Sequence, residues 1–325
     1  MTETTLASLS DTLAYLAVVA YLLAAVLFGF ELAYAVRWAG LAGVAVTVAG
    51  LAANLATAVT RGLAAHRVPW GNMYEFSVVM GILTAAGFLV WVRRRPAVRP
   101  LGVFVLLPTV VAIAVARILL FAPAGPLVPA LQSGWLRIHV AAAIAGSSLL
   151  CLASIFSALY LAKDHFERRA ARPAPPLVAG GSRSADQAET DQIIAGYEAE
   201  AEAPTGDASA PASPAGLWDR VPPARTLDQL AYRTVVFAFP IWTFAIIAGA
   251  IWAQSAWGRY WGWDPKETWS FIVWVVYAAY LHARATAGWR GRRAAWLSLV
   301  GLGCLLVNFY AVNTWIIGLH SYAGV

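Results

Sequence analysis

The chain has 325 residues, of which 60% are apolar and only 12% charged, with a mean hydropathy of +0.65 and a formal net charge of +6. Soluble domains carry about 25% charged residues, so an ordinary soluble enzyme is excluded; disorder over most of the chain is excluded too, because it needs low hydrophobicity. The 26 glycines follow no triplet period, which excludes collagen and leaves a polytopic membrane protein.

A membrane-spanning helix needs about 20 mostly apolar residues. Runs without Lys, Arg, Asp or Glu occupy 12–30, 38–60, 138–162, 234–258 and 294–325. Shorter runs at 76–92, 100–116 and 268–283 extend to full spans with interfacial residues. The expected fold is all-α, with about eight transmembrane helices. The first ten residues hold no Lys or Arg. The first run is therefore read as a retained helix, not a cleaved signal peptide. Cys151 and Cys304 each lie within an apolar run and are read as buried, inert thiols.

The connections between spans 1 and 2, 3 and 4, 5 and 6, and 7 and 8 hold 17 of the 23 basic residues. By the positive-inside rule these connections are cytoplasmic, so both termini face outward. This also accounts for the basic balance without nucleic acid. Residues 163–232 are polar, and between Asp186 and Asp207 there are seven acids and no basic residue. Such a segment cannot bury enough apolar area to offset its ordering entropy. It is read as a disordered cytoplasmic linker between a five-span half, 1–162, and a three-span half, 233–325.

The outward loop between spans 6 and 7 carries Trp257, Trp261, Trp263 and Trp269 within thirteen residues, interleaved with Gly258 and Gly262. An aromatic belt needs only an occasional ring at the headgroup level. Glycine lets the backbone approach a flat ligand, and the indoles offer broad apolar faces. Arg259 and Lys266 suit carboxylates on such a ligand's rim. Haem has that character; a quinone lacks the carboxylates. An interfacial turn packed by Trp is the competing reading.

Of the five histidines, His165 lies beside Asp164 and Glu167 in the linker and is read as solvated. His66 lies in the outer loop between spans 2 and 3. His139 and His320 stand at the outer ends of spans 5 and 8, level with the Trp loop. Two neutral imidazoles make good iron ligands. A haem held between them is one reading, and two unrelated interfacial histidines the other. His282 lies fifteen residues after Glu267, roughly 22 Å down its helix. An ionisable residue at that depth marks a functional site by default. No other span has a histidine at matching depth, so a two-histidine site there needs a partner protein. Asp264 either caps the helix beginning near Pro265 or touches the ligand edge.

Residues Trp257-Gly-Arg-Tyr-Trp261-Gly-Trp263-Asp264 resemble the tryptophan-rich "WWD" signature of haem-handling proteins. Together with His139, His282, His320 and the segment Pro69-Trp-Gly-Asn-Met-Tyr-Glu-Phe76, they resemble the CcsA/ResC family of System II cytochrome c biogenesis, whose split versions are often named CcsB. The resemblance implies a multi-pass protein of the plasma (inner) membrane with its active site on the outer, periplasmic face. His139 and His320 match the ligands of an external haem, and His282 the membrane-embedded ligand. Haem b is implied as both substrate and ligand. A ResB-like membrane partner supplies the other inner ligand. Trp257, Trp261, Trp263 and Asp264, with the outer histidines, belong to a cytochrome c synthetase site. There haem meets an apocytochrome c bearing Cys-x-x-Cys-His, and thioethers form. A haem transport module without synthetase activity, a membrane electron-transfer subunit and a lipid-linked sugar transporter are the alternatives.

Overall fold

Backbone N–H and C=O groups in hydrocarbon must be satisfied within their own segment, so each long apolar run forms a helix. The computed structural model describes residues 2–125, 132–171, 216–316 and 318–319. Among them are eight long helices and no strand. These are α1 (Glu3–Tyr34), α2 (Arg37–Ala64), α3 (Met73–Arg94), α4 (Gly102–Leu119), α5 (Gly134–Ala170), α6 (Ala224–Trp257), α7 (Pro265–Ala285) and α8 (Arg292–Leu306). α8 continues through a π turn, Val307–Ala311, into Val312–Thr314. Short 3-10 turns occupy Pro96–Leu101 and Leu217–Arg220. Among the described residues, seven helices are long and apolar enough to cross a membrane. α7 falls short of that standard because Lys266 and Glu267 open it and His282 and Arg284 close it. The chain is an all-α polytopic membrane protein.

α5 is the central staff. Its Leu152 and Phe156 enter one core with α1, α3 and α4, while its Leu150 and Ala153 enter another with α6, α7 and α8. In the first core, Phe28 is fully buried and meets Phe88 edge-on at 5.7 Å. A side chain at Gly43 or Gly102 would collide with the Phe28 ring, so these glycines permit close helix approach. The second core gathers Val235, Trp242, Val273 and Tyr277 around α5.

Ion pairs lock the arginine-rich end. Glu31 of α1 binds Arg99 of the turn before α4, with Nε–O at 2.9 Å. Asp228 of α6 holds both terminal nitrogens of Arg284 of α7, at 2.7 and 2.8 Å.

Helix runs into both ends of the segment read from composition as a disordered linker. α5 continues to Ala170, and α6 begins at Ala224. Phe166 stacks on Trp218 at 4.4 Å, and Lys163 Nζ donates to the Trp218 carbonyl at 2.6 Å. Arg220 donates to the carbonyls of Leu32 and Ala33 at the end of α1. Averaging over the whole segment hid these aromatic and basic ends. Residues 172–215, including the acid-rich stretch, lie outside the described residues.

Asp228→Ala strands a guanidinium whose side chain is 8% exposed. Breaking a buried pair from one side costs about 3–5 kcal/mol. The thermal midpoint in detergent should fall clearly, whereas Arg233→Ala, at an exposed position, should leave it nearly unchanged.

Candidate functional site

Two loops close the same end of the bundle, and both are tied down by the same device. In the α2–α3 loop, Asn72 caps α3 by accepting the Glu75 N–H at 2.9 Å. The Glu75 carboxylate reaches back to the Gly71 N–H at 2.7 Å. In the α6–α7 loop, Asp264 caps α7 by accepting the Lys266 N–H at 3.2 Å. The Glu267 carboxylate reaches back to the N–H groups of Gly262 and Asp264, at 2.8 and 3.1 Å. An N-cap with a glutamate three residues on satisfies the orphan donors of a helix start, and the helix dipole favours its charge. Each glutamate also meets arginine. Glu75 takes Arg61 Nε at 2.8 Å and Arg67 at 2.6 and 3.0 Å. Arg259 lies 3.5 Å from Glu267.

The Trp loop is strained as well as tied. α6 ends at Gly258 with φ +72°, a left-handed cap suited to glycine. Trp263 holds φ +57°, which costs a non-glycine residue about 1–2 kcal/mol. The residues on either side of Trp263 are those whose N–H groups Glu267 holds. Trp263 is 65% exposed and meets Trp261 and Phe271 edge-on. A side chain at Gly262 would overlap the Arg259 guanidinium, which lies across the loop.

Behind the loop is a cavity of about 350 Å³. Trp70, His139, Trp252, Trp257, Trp261 and Lys266 line its outer part. The His139 ring stacks on Trp252, with centroids 6.3 Å apart and planes at 12°. His139 Nδ1 lies 2.7 Å from the Ala245 carbonyl. A carbonyl only accepts, so Nδ1 carries the proton and the lone pair sits on Nε2. This is how metal-ligating histidines are commonly oriented. Gly249 seats the ring, since a Cβ there would stand 2.7 Å from Nδ1 and Cε1. Lys266 Nζ donates to the Asn308 carbonyl at 2.9 Å, in the π turn of α8. Such turns recur at functional sites. The donor set and the aromatic walls fit an apolar macrocycle with an axial imidazole.

The structure thus brings His139, Trp257, Trp261 and Lys266 to one cavity. Trp263, Asp264 and Arg259 shape the loop beside it. His282 stands exposed on α7, outside the cavity lining. His320 lies outside the described residues, but its neighbour Leu319 donates its N–H to Asp264 at 2.8 Å. Asp264 is therefore both the helix cap and an anchor for the segment that follows α8. His66 pairs with Glu3 at 2.8 Å on the exposed surface. Sequence reasoning missed Trp252, Glu267 and Asn308, and took Trp70 only as part of the segment 69–76. The shared order Trp-Gly, then Asn or Asp, then Glu three residues later was a signal available at 70–75 and 261–267.

The fold and this site define a multi-pass membrane protein with a cavity closed by an aromatic loop. The chain belongs to the cytochrome c assembly protein family, whose signature matches residues 70–320. It is 38% identical over 307 residues to the cytochrome c biogenesis protein CcsA of Synechococcus sp. strain JA-2-3B'a(2-13), covering 87% of this chain and 84% of that one. The CcsA of Gloeobacter violaceus is 38% identical over 235 residues, covering 69% of each chain. Among solved structures, cytochrome c haem lyase CcmF aligns with a TM-score of 0.62 at 16% identity. That alignment covers 95% of this chain and 47% of CcmF, and it shows a shared fold. The family places this protein in cytochrome c maturation.

Asp264→Ala removes the α7 cap and the Leu319 anchor. Loss of a cap costs about 1 kcal/mol. Hydrogen exchange at residues 262–268 should rise in Asp264→Ala and stay near wild type in Asp264→Asn, which keeps an acceptor.

Proposed function

We propose that the chain is the synthetase subunit of a two-protein system that carries haem b across the membrane and attaches it to apocytochrome c. The observation that carries this reading is His139, with Nε2 as its lone-pair nitrogen, set against the tryptophan-lined cavity. In this reading His139 and His320 hold the haem iron from opposite faces, with Trp257, Trp261 and Trp263 around it. Arg259, beside Glu267, and Lys266 meet the propionates, Lys266 exchanging the neutral Asn308 carbonyl for a charged partner.

The chemistry is addition. Each thiol of Cys-x-x-Cys-His adds across one vinyl group: sulfur bonds to one carbon, the proton goes to the other, and nothing is oxidised. The protein's contribution is geometric, because holding vinyls and thiols together removes much of the entropic barrier. The apolar walls exclude water. The substrate's own histidine replaces one protein imidazole, which favours release.

His282 is the inner ligand, with its second ligand supplied by a ResB-like partner; its exposure on α7 supports this. The tryptophan loop faces the outer side of the plasma membrane, and both termini lie outward. Of the six basic residues at that end, Arg61, Arg67, Arg117 and Arg259 are already paired with acids, which supports this orientation.

The test is the reduced-minus-oxidised visible spectrum of the purified chain, with and without the partner. A two-imidazole b-type spectrum is expected, and His139→Ala or His320→Ala should alter it. His282→Ala should remove further haem only with the partner present. Gly249→Ala should displace the His139 ring and lower haem affinity about 10–100-fold, the usual effect of disturbing a ligand's support. Absence of haem in every preparation would sink this reading. Co-expression with an apocytochrome separates a synthetase from a carrier, since only the former yields thioether-linked haem.

A further inference from the structure

The cavity does not end beneath the tryptophan loop. Along α5 its lining runs from His139 to Ile155, sixteen residues or roughly 24 Å of helix. Along α3 it runs from Met73 to Thr84. A volume of about 350 Å³ drawn out over that length is a slot, not a chamber.

The lower arm differs chemically from the outer part. Among the described residues that line it below Lys266 and Asn308, none is charged. Three of its hydroxyls serve their own helices. Ser77 donates to Met73, Thr109 to Val105 and Ser147 to Ala143, at 2.9, 2.8 and 2.7 Å. The remaining walls are apolar, including Ala112, Ile155 and Leu302. A haem pushed down this arm would have no partner for its carboxylates, and a peptide none for its amides. A hydrocarbon chain needs no such partner.

The arm also has a way in from the side. α4 and α8 form two of its walls, and they come together at the tryptophan-loop end, where Phe309 joins the cluster of Ala116 and Leu120. Below that point Leu306 lines the arm while 45% exposed. Val111 and Val300, on the flanks, are 59% and 52% exposed. Pro108 lines the arm within α4 and cannot donate the helical hydrogen bond to the residue 104 carbonyl, which loosens that wall.

We propose that the lower arm is a binding site for one linear hydrocarbon chain of a membrane amphiphile, entering between α4 and α8. The chain floors the outer cavity and keeps water from rising beneath His139. The site stands apart from the haem reading, because it uses neither the iron ligands nor the tryptophan loop.

The test uses the full chain in lipid nanodiscs. One arm contains phosphatidylcholine with a mid-chain diazirine; the other contains a diazirine-bearing polyprenol. After irradiation, adducts are mapped by peptide mass spectrometry. Adducts on Thr109, Ala112, Cys151 and Leu302, several-fold above those on Val111 and Val300, are expected from at least one probe. Whichever probe labels them identifies an acyl or an isoprenoid chain. Adducts confined to Val111, Ile118 and Val300 overturn the proposal. Ala112→Trp fills the arm and should abolish the inner adducts while leaving those on Val111. A second measurement avoids any folding defect of that variant. In Cys304→Ser protein, N-ethylmaleimide should modify Cys151 several-fold more slowly in lipid-replete than in delipidated micelles, and equal rates count against the site. Visible spectra of the same samples are read separately: loss of haem with the inner adducts retained sinks the haem reading and leaves this one standing.

Discussion

Two buried glutamates hold this structure's working end together. Glu75 and Glu267 each sit in the first turn of a helix and reach back to the amide of a glycine that follows a tryptophan. Each carboxylate is nearly sealed from solvent, at 1% and 8% exposure. A buried charge is tolerable only with charged and hydrogen-bonding partners. Arg61 and Arg67 supply them for Glu75, and backbone amides with Arg259 for Glu267. The loops cannot wander without stranding these carboxylates. Trp70 and Trp261 are therefore delivered to the cavity wall on rigid backbone, as a binding site requires.

His139 depends on a different kind of support. Its ring stacks on Trp252, is seated on Gly249 and is oriented by the Ala245 carbonyl. All three come from α6, so the packing of α5 along α6 sets the orientation of the imidazole. Asp264 extends the linkage to the segment after α8 through Leu319. Four helices and one loop thus converge on a single constellation. A change in the α5–α6 contact, far from the loop, would be felt there as a change in imidazole orientation.

The opposite end is secured by its own ion pairs, Glu31 with Arg99 and Asp228 with Arg284. Arg220 adds a third tie by serving carbonyls at the end of α1. The two halves of the chain are therefore stapled at the arginine-rich end and share α5 in between. Between these fixed points the helices enclose a slot where Ser77, Thr109 and Ser147 turn their hydroxyls back to their own backbone. Its walls are largely apolar, and these back-bonded hydroxyls present little polarity to a guest.

The helices and the character of the tryptophan loop were legible in the sequence, because both follow from local rules. An apolar run in lipid satisfies its own backbone, and a cluster of Trp and Gly outside a span announces itself by composition. Asp264 before Pro265 with Glu267 behind it also spells a helix start without any tertiary information. What the sequence did not contain was direction. Nothing local says that His282 faces outward on α7 while Ser270 and Glu267 of the same helix face the cavity. Nothing local brings Trp70 across from another loop, or turns Arg259 toward Glu267 and Lys266 toward Asn308. Those outcomes depend on which helices pack together, and the α5–α6 and α7–α8 interfaces join residues distant in the chain. The tertiary structure alone decided which aromatic rings share a wall, because a side chain's facing is fixed by its neighbours in space and not by its neighbours in sequence.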